Sequence, residues 1–168
     1  MTQSIIGTKS MVVSPHYLAS MAGNKILEKG GNAFDAAVAV SACLGVVYPH
    51  MTGLGGDAFW LTYEREVGKI RAFNGSGRSG SNVNRDSYKG EKKIPFRGVR
   101  SAITVPGMVD SWDEILRECG KLTLADVLDS AIEYAEKGFP ITKNQVMYTE
   151  KNWDWLSTAP ITSEIYAP

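Results

Sequence analysis

Arg78 lies in Asn74-Gly-Ser-Gly-Arg-Ser-Gly80, a glycine-flanked loop that follows an apolar run reading as a strand. A guanidinium held just past a strand end can grip a carboxylate through two parallel N–H donors. Arg78 is the best local candidate for a binding residue, weighed against the plainer reading of an exposed loop arginine. The other chemistry-bearing side chains form no recognisable constellation. His16 and His50, the two histidines of the chain, each stand beside a proline at a predicted helix end, without the i, i+4 or HExxH companion that would hold a metal. His50, next to a crowded glycine turn, keeps the better claim to a site role. Ser76 lacks the flanks of a Gly-x-Ser-x-Gly elbow and any evident His/Asp partners. Cys43 and Cys119 show neither CxxC nor Cys/His spacing and read as reduced core thiols.

Two glycine segments, Gly53-Leu-Gly-Gly56 and Gly75-Ser-Gly77, invite a test as phosphate loops. The first follows a helix and precedes a strand, the reverse of the dinucleotide order, and neither ends in Lys-Ser/Thr. Both are expected to be structural turns. Asp113, Glu114, Asp126, Asp129 and Glu133 fall on predicted exposed helix faces, where solvation is expected rather than acid/base work.

The elements that position these residues follow from caps and periodicity. Ser14-Pro15 suits a helix start, Leu18, Ala22 and Ile26 give that helix one apolar face, and Gly30-Gly31 ends it. Asn32 caps a second helix, with Asp35 near its positive end. From Ala36 this helix has no polar face, so it must be enclosed, as between a sheet and other helices. Tyr48-Pro49 stops it, and Thr52–Gly56 marks where backbone turns sharply or crowds another group. Ala58–Tyr63 and Lys69–Phe73 make a hairpin. Residues 81–100 form a long polar excursion, Ile103–Val105 a short strand, and Pro106-Gly107 opens a helix that runs to Gly120. Thr123 caps a helix with Leu124, Val127, Leu128, Ala131, Ile132 and Ala135 on one face, ending at Gly138. Thr142–Trp155 is helical, before Ala159-Pro160.

With 168 residues, 43% hydrophobic and 21% charged, the chain is expected to be a single globular domain, 1–168. Its 18 basic and 18 acidic residues cancel, so no net field attracts a polyanion, and nucleic acid is not an expected partner. The cluster Lys89, Lys92, Lys93, Arg97 and Arg100 is broken by Glu91, Pro95 and Gly98 and reads as a solvated loop. The longest apolar run, Ala36–Val47, is too short to span a bilayer, so no membrane partner is expected. The start, MTQSIIGTKS, lacks a charged n-region followed by an apolar h-region, which makes a cytoplasmic location the expectation.

In Gly30-Gly-Asn-Ala-Phe-Asp-Ala-Ala37, Val46-Val-Tyr-Pro49 and Gly53-Leu-Gly-Gly56-Asp-Ala-Phe59 the chain closely resembles the gamma-glutamyltranspeptidase family. Val105-Pro-Gly-Met-Val109, Leu122 and Ala131-Ile132…Ala135…Gly138-Phe-Pro-Ile141 continue the match in order. The resemblance implies an α+β fold, the four-layer αββα sandwich of N-terminal-nucleophile (Ntn) hydrolases. It implies a precursor that cleaves itself into large and small chains, with no cofactor and no metal. The small subunit would begin with a Thr whose hydroxyl attacks a substrate amide while its own α-amino group acts as base. This chain would be the incomplete N-terminal part of the large subunit, inactive alone, with no catalytic residue of its own and the small subunit as its partner.

In glutamyl-transferring members an arginine in an Asp-Phe-Arg-Glu-like motif clamps the substrate α-carboxylate. Here the stretch reads Phe73-Asn-Gly-Ser-Gly-Arg-Ser79, which puts Ser76 at the arginine position and Arg78 two residues later. The resemblance therefore implies substrate binding by Arg78 and Ser76, with a loop bringing the guanidinium to the same anion. The Asn-Gly-Ser-Gly-Arg form and Tyr48-Pro-His50-Met-Thr-Gly53 look more like the cytoplasmic branch of cephalosporin acylases and oxamate amidohydrolases. The substrate expected is a carboxylate-bearing small-molecule amide, either glutathione-like or one of those two classes. The readings from other classes are a non-catalytic scaffold or binding protein that lost the nucleophile, and a stand-alone nucleotide-binding domain, weakened by the wrong order of elements.

Overall fold

The structure, a computed structural model, describes residues 4–166. Residues 1–3, which open the segment read for a leader, and 167–168, which close the tail, lie outside the described residues. In chain order the elements are α1 Tyr17–Glu28, α2 Ala33–Val47, β1 Ala58–Glu64, β2 Lys69–Gly75, α3 Met108–Cys119, α4 Leu124–Lys137, α5 Lys143–Lys151, α6 Trp153–Leu156 and α7 Pro160–Tyr166. They divide into two compact units, one comprising residues up to Gly53 and from Cys119 onward, the other Leu54–Glu118.

In the first unit the free N–H groups of α1's first turn need an acceptor. His16 supplies it: its Nδ1 accepts from the Leu18 N–H at 3.3 Å. Ser14, the expected cap, is engaged elsewhere, donating from Oγ to the His16 carbonyl at 2.8 Å and lying 2.8 Å from Ser20 Oγ. The spacing of apolar residues gives the expected buried face of Leu18, Ala22 and Ile26, widened by Ala19 and Gly23. A Cβ on Gly23 would lie 2.6 Å from Val40 Cγ2 and 2.8 Å from Val12 Cγ1, so small size at Gly23 lets α1 and α2 approach. The chain then turns at Gly30, whose φ of 100° is one that glycine tolerates.

Asn32 and Asp35 form a reciprocal capping box at the start of α2. The Asp35 side chain is fully buried. Its carboxylate accepts from the backbone N–H groups of Asn32 at 2.7 Å, Lys121 at 3.0 Å and Leu122 at 3.1 Å. Asn32 Nδ2 adds a bond to the Cys119 carbonyl at 2.6 Å. The start of α2 is thereby stapled to the segment leading into α4. Along α2, Ala36, Val38, Ala39, Ala42, Cys43 and Val47 are buried, and no residue from Val38 to Tyr48 is exposed.

Thr123 and Asp126 cap α4 with a second reciprocal box, and Gly138, at φ 80°, closes it. Val127 and Ala131 form the buried stripe of α4, but Ile132 is 48% exposed, so the contact face is narrower than the expected apolar face. A helix packed chiefly against one neighbour, here α2, covers only a narrow stripe. Lys25–Asp129 and Lys29–Asp126 pairs, at 2.9 and 2.6 Å, link α1 to α4 at the surface. The hydrogen bond from Lys29, then those from Thr123, hold the Asp126 carboxyl down to about 2.

The helix expected over Thr142–Trp155 is interrupted. Thr142 caps α5, but Asn152 Nδ2 donates to the Tyr148 carbonyl at 2.7 Å, and the chain restarts as the short α6. Pro160 opens α7 instead of ending an element, because a first-turn residue needs no N–H partner.

In the second unit β1 and β2 pair antiparallel from Ala58↔Gly75 to Glu64↔Lys69, the expected hairpin, with Gly68 at φ 62° in its turn. One face, with Trp60, Thr62, Arg71 and Phe73, is partly covered; Trp60 Nε1 donates to Ser111 Oγ of α3 at 3.2 Å. Arg71 reaches Glu64 at 2.9 Å and also pairs with Glu118, and this bond to Arg71 lowers the Glu118 pKa. The other face carries Phe59, Leu61, Tyr63 and Ile70, each more than three-fifths exposed. Residues 81–100 carry only short 3-10 turns at Arg85–Tyr88 and Val99–Ser101, and Lys89, Lys92, Lys93, Arg97 and Arg100 are all exposed, as expected. Ile103–Val105 makes no strand; Thr104 forms a single bridge with Ser79. Among the described residues no helix is long and apolar enough to cross a membrane.

Candidate binding cleft after the second strand

The loop following β2 is held by backbone contacts too close for side chains. A Cβ on Gly77 would stand 1.5 Å from the Val105 carbonyl oxygen, and one on Gly107 would stand 2.5 Å from the Gly75 carbonyl oxygen. A Cβ on Gly75 would meet Ser111 Cβ at 2.4 Å. The glycines at these positions let residues 75–77 lie directly against 105–107. Three hydrogen bonds fix the arrangement: Gly77 N–H to Asp57 Oδ1 at 3.0 Å, Val105 N–H to the Arg78 carbonyl at 2.9 Å, and Ser76 N–H to Asn74 Oδ1 at 3.0 Å. The Gly56 carbonyl accepts from Gly107 and Met108 N–H, at 3.2 and 3.0 Å, which satisfies two donors at the start of α3.

Beside this loop lies a cleft of about 840 Å³, lined by Asn74, Ser76 and Arg78 from the loop and by Asp110, Ser111 and Glu114 from α3. The backbone of Arg78 is pinned while its side chain is exposed. Its guanidinium makes no ion pair among the described residues. Ser111 is occupied structurally, donating to the Met108 carbonyl at 2.6 Å and accepting from Trp60. The described side chains that line the cleft thus include one exposed cation, Arg78, two carboxylates, Asp110 and Glu114, and the hydroxyls of Ser76 and Ser111.

The two residues singled out for binding, Arg78 and Ser76, are thus placed on one wall of one cleft. Glu114, expected to be a solvated helix carboxylate, lines it too, and Asp110 was not anticipated; the signal was their i, i+4 spacing on the helix that opens at Pro106-Gly107. Asp57 was missed as the group that holds the loop. At Gly53–Gly56, expected to turn sharply or to crowd another group, the chain turns at Leu54–Gly55, while crowding is not found at Gly53 or Gly55, where an added Cβ would meet nothing within 4 Å and φ is not positive. It is found at Gly75, Gly77 and Gly107 instead. His50 lies in the first unit, packed with Tyr48 and Tyr148. Cys43 is buried, and that burial pushes its thiol up to about 11, away from any nucleophilic role.

The chain matches the family described as gamma-glutamyltranspeptidase over residues 19–168. It is 66% identical to the glutathione hydrolase-like YwrD proenzyme of Bacillus subtilis, over 99% of this chain and 32% of that protein. It is 43% identical to the oxamate amidohydrolase proenzyme of Klebsiella pneumoniae, again over 99% of this chain and 32% of that protein. Among solved structures it superposes on Helicobacter pylori gamma-glutamyltranspeptidase with a TM-score of 0.89 at 29% identity, over 96% of this chain and 47% of that one. On the cephalosporin acylase of Bacillus halodurans the TM-score is 0.79 at 35% identity, over 94% of this chain and 31% of that one. The chain therefore spans about a third of the length of the curated relatives it matches. Its fold is the corresponding part of the Ntn-hydrolase architecture of these structures.

Proposed function

Because this chain belongs to the gamma-glutamyltranspeptidase family, we propose that it is the N-terminal part of the large subunit of a self-cleaved amidohydrolase or acyltransferase, in which Arg78 receives the substrate carboxylate. The observation that carries this reading is the pinned loop after β2, which presents an exposed guanidinium, without an ion pair among the described residues, to a cleft. Arg78 and the Ser76 hydroxyl orient the anion, and the glycine turn Gly53–Gly56 packs under the active site. The nucleophile is a Thr at the start of a small subunit cut from the same precursor. Its hydroxyl attacks the amide carbonyl, its α-amino group takes the proton, and the amine leaves; water or a second amine then releases the acyl group. The open face of the hairpin, with Phe59, Leu61, Tyr63 and Ile70, favours burial against the remainder of the precursor. The location proposed is cytoplasmic.

The substrate proposed is a glutathione-like amide, with glutaryl-cephalosporin or oxamate as the alternatives on the same scaffold. The names of the relatives, which include glutathione hydrolase, oxamate amidohydrolase and acylase, support amide cleavage as the shared chemistry. In the assembled enzyme, Arg78→Ala is expected to raise KM for the carboxylate-bearing substrate about 10- to 100-fold, the worth of a charged hydrogen-bonded contact, with kcat changed less than about threefold. Steady-state kinetics on glutathione, oxamate and a glutaryl amide check this. An unchanged KM on the substrate that turns over would remove Arg78 from the site. Mass spectrometry of the purified protein separates the enzyme from a non-catalytic scaffold: a second polypeptide beginning with Thr supports the enzyme, and its absence supports the scaffold.

A further inference from the structure

Both histidines of the chain meet at one junction of the first unit, and the chemistry proposed above uses neither. His16 is 2% exposed, and its Nδ1 accepts the Leu18 N–H, which fixes the neutral tautomer with the proton on Nε2. That Nε2 is buried without a hydrogen-bond partner among the described residues, as are both ring nitrogens of His50. The rings form a file. His16 meets Tyr48 edge-on with centroids 6.3 Å apart, Tyr48 meets His50 edge-on at 4.3 Å, and His50 stacks on Tyr148 at 5.1 Å. The file joins the start of α1, the end of α2 and the middle of α5.

We propose that His16 is an acid-sensitive helix cap: a proton taken from solvent onto Nδ1 removes the acceptor that closes the first turn of α1 and loosens the junction of α1, α2 and α5. An imidazolium has two N–H donors and no acceptor, so Nδ1–H would face the Leu18 N–H donor to donor. Its positive charge would also sit at the positive end of the helix dipole. The titratable groups in ring contact with the imidazoles are Tyr17 of α1, which stacks on His16 at 5.1 Å, Tyr48 after α2, and Tyr148 of α5. Asn144 Nδ2 reaches the Tyr48 hydroxyl at 3.4 Å. No carboxylate pairs with either imidazole among the described residues to offset the charge. Burial first, and then the charge of His50, lower the pKa of His16; burial lowers that of His50. The unfolded chain binds more protons than the folded one below the ordinary value of 6.5, so this stability is complete above 6.5 and is lost as pH falls through the lower folded value.

Hydrogen exchange of the complete protein that carries this chain, read by mass spectrometry over α1 at pH 7.5 and 5.0 and corrected for intrinsic pH dependence, tests the cap. Opening of the first turn is expected to rise at least tenfold at pH 5.0. In His16→Asn, which keeps a cap acceptor that does not titrate, the two values should agree within twofold. No acid effect in the native protein, or the same effect in the variant, overturns the proposal. If the variant does not fold, NMR titration of the native protein decides: proton uptake by His16 below 6.5 supports the cap, and uptake at or above 6.5 overturns it.

Discussion

Replacing Asp35 by Ala lowers the midpoint of urea unfolding by about 2 M. The substitution leaves the N–H groups of Asn32, Lys121 and Leu122 without the carboxylate that satisfies all three at once. Hydrogen bonds to a charged group contribute roughly 1.5–3 kcal/mol each, and each buried donor left unmade costs about 1–3 kcal/mol. These contributions overlap, so the expected loss is about 4 kcal/mol, which an m-value near 2 kcal/mol per M converts to that shift. Asp35→Asn should recover less than half of it, because its amide turns a donor toward donors. A midpoint shift below about 0.3 M for Asp35→Ala would show that water replaces the carboxylate and that the staple between α2 and α4 contributes little.

The second large effect is expected at Gly77→Ala. Its Cβ would fall 1.5 Å from the Val105 carbonyl oxygen, and backbone on both sides of that contact is hydrogen-bonded in place. Relief requires residues 75–77 and 105–107 to separate, which costs about 3 kcal/mol or more and moves the Arg78 backbone off its anchor. The expected result is a protein that unfolds at lower denaturant and whose KM for the carboxylate-bearing substrate rises as in Arg78→Ala. Gly80→Ala is the control: it lies in the same loop, but its Cβ would come no nearer than 3.4 Å to a neighbour, and its φ is not positive. It should stay within about 0.5 kcal/mol of the parent. Equal behaviour of the two variants would refute the close-packing account of the loop.

What could be read in the sequence was governed by local chemistry. Asn32 and Thr123 were legible as caps because a capping box is contained within four residues, and the hairpin was legible because its turn ends in Gly68. Arg78 and Ser76 were legible as loop residues because their neighbours are glycines, although the reason for those glycines was not visible. It resides in Val105, across the basic excursion. His16 escaped as a cap because an imidazole acceptor is an uncommon choice beside an available serine. The break at Asn152 depends on one side-chain bond to a helix carbonyl that periodicity cannot register. Asp35 read as a helix-end charge; its distant donors made it a staple.

Those donors, on Lys121 and Leu122, lie 86 and 87 residues further along the chain. On a ribosome adding about 5–20 residues per second, the carboxylate of Asp35 waits roughly 4–17 s for Lys121 to be made. In that interval α1 and α2 exist without α4, and the whole of the second unit is synthesised first. The order of synthesis therefore makes the contiguous unit, with its apolar sheet face, older than the unit that frames it in sequence. The maturation clock of the first unit starts at residue 121.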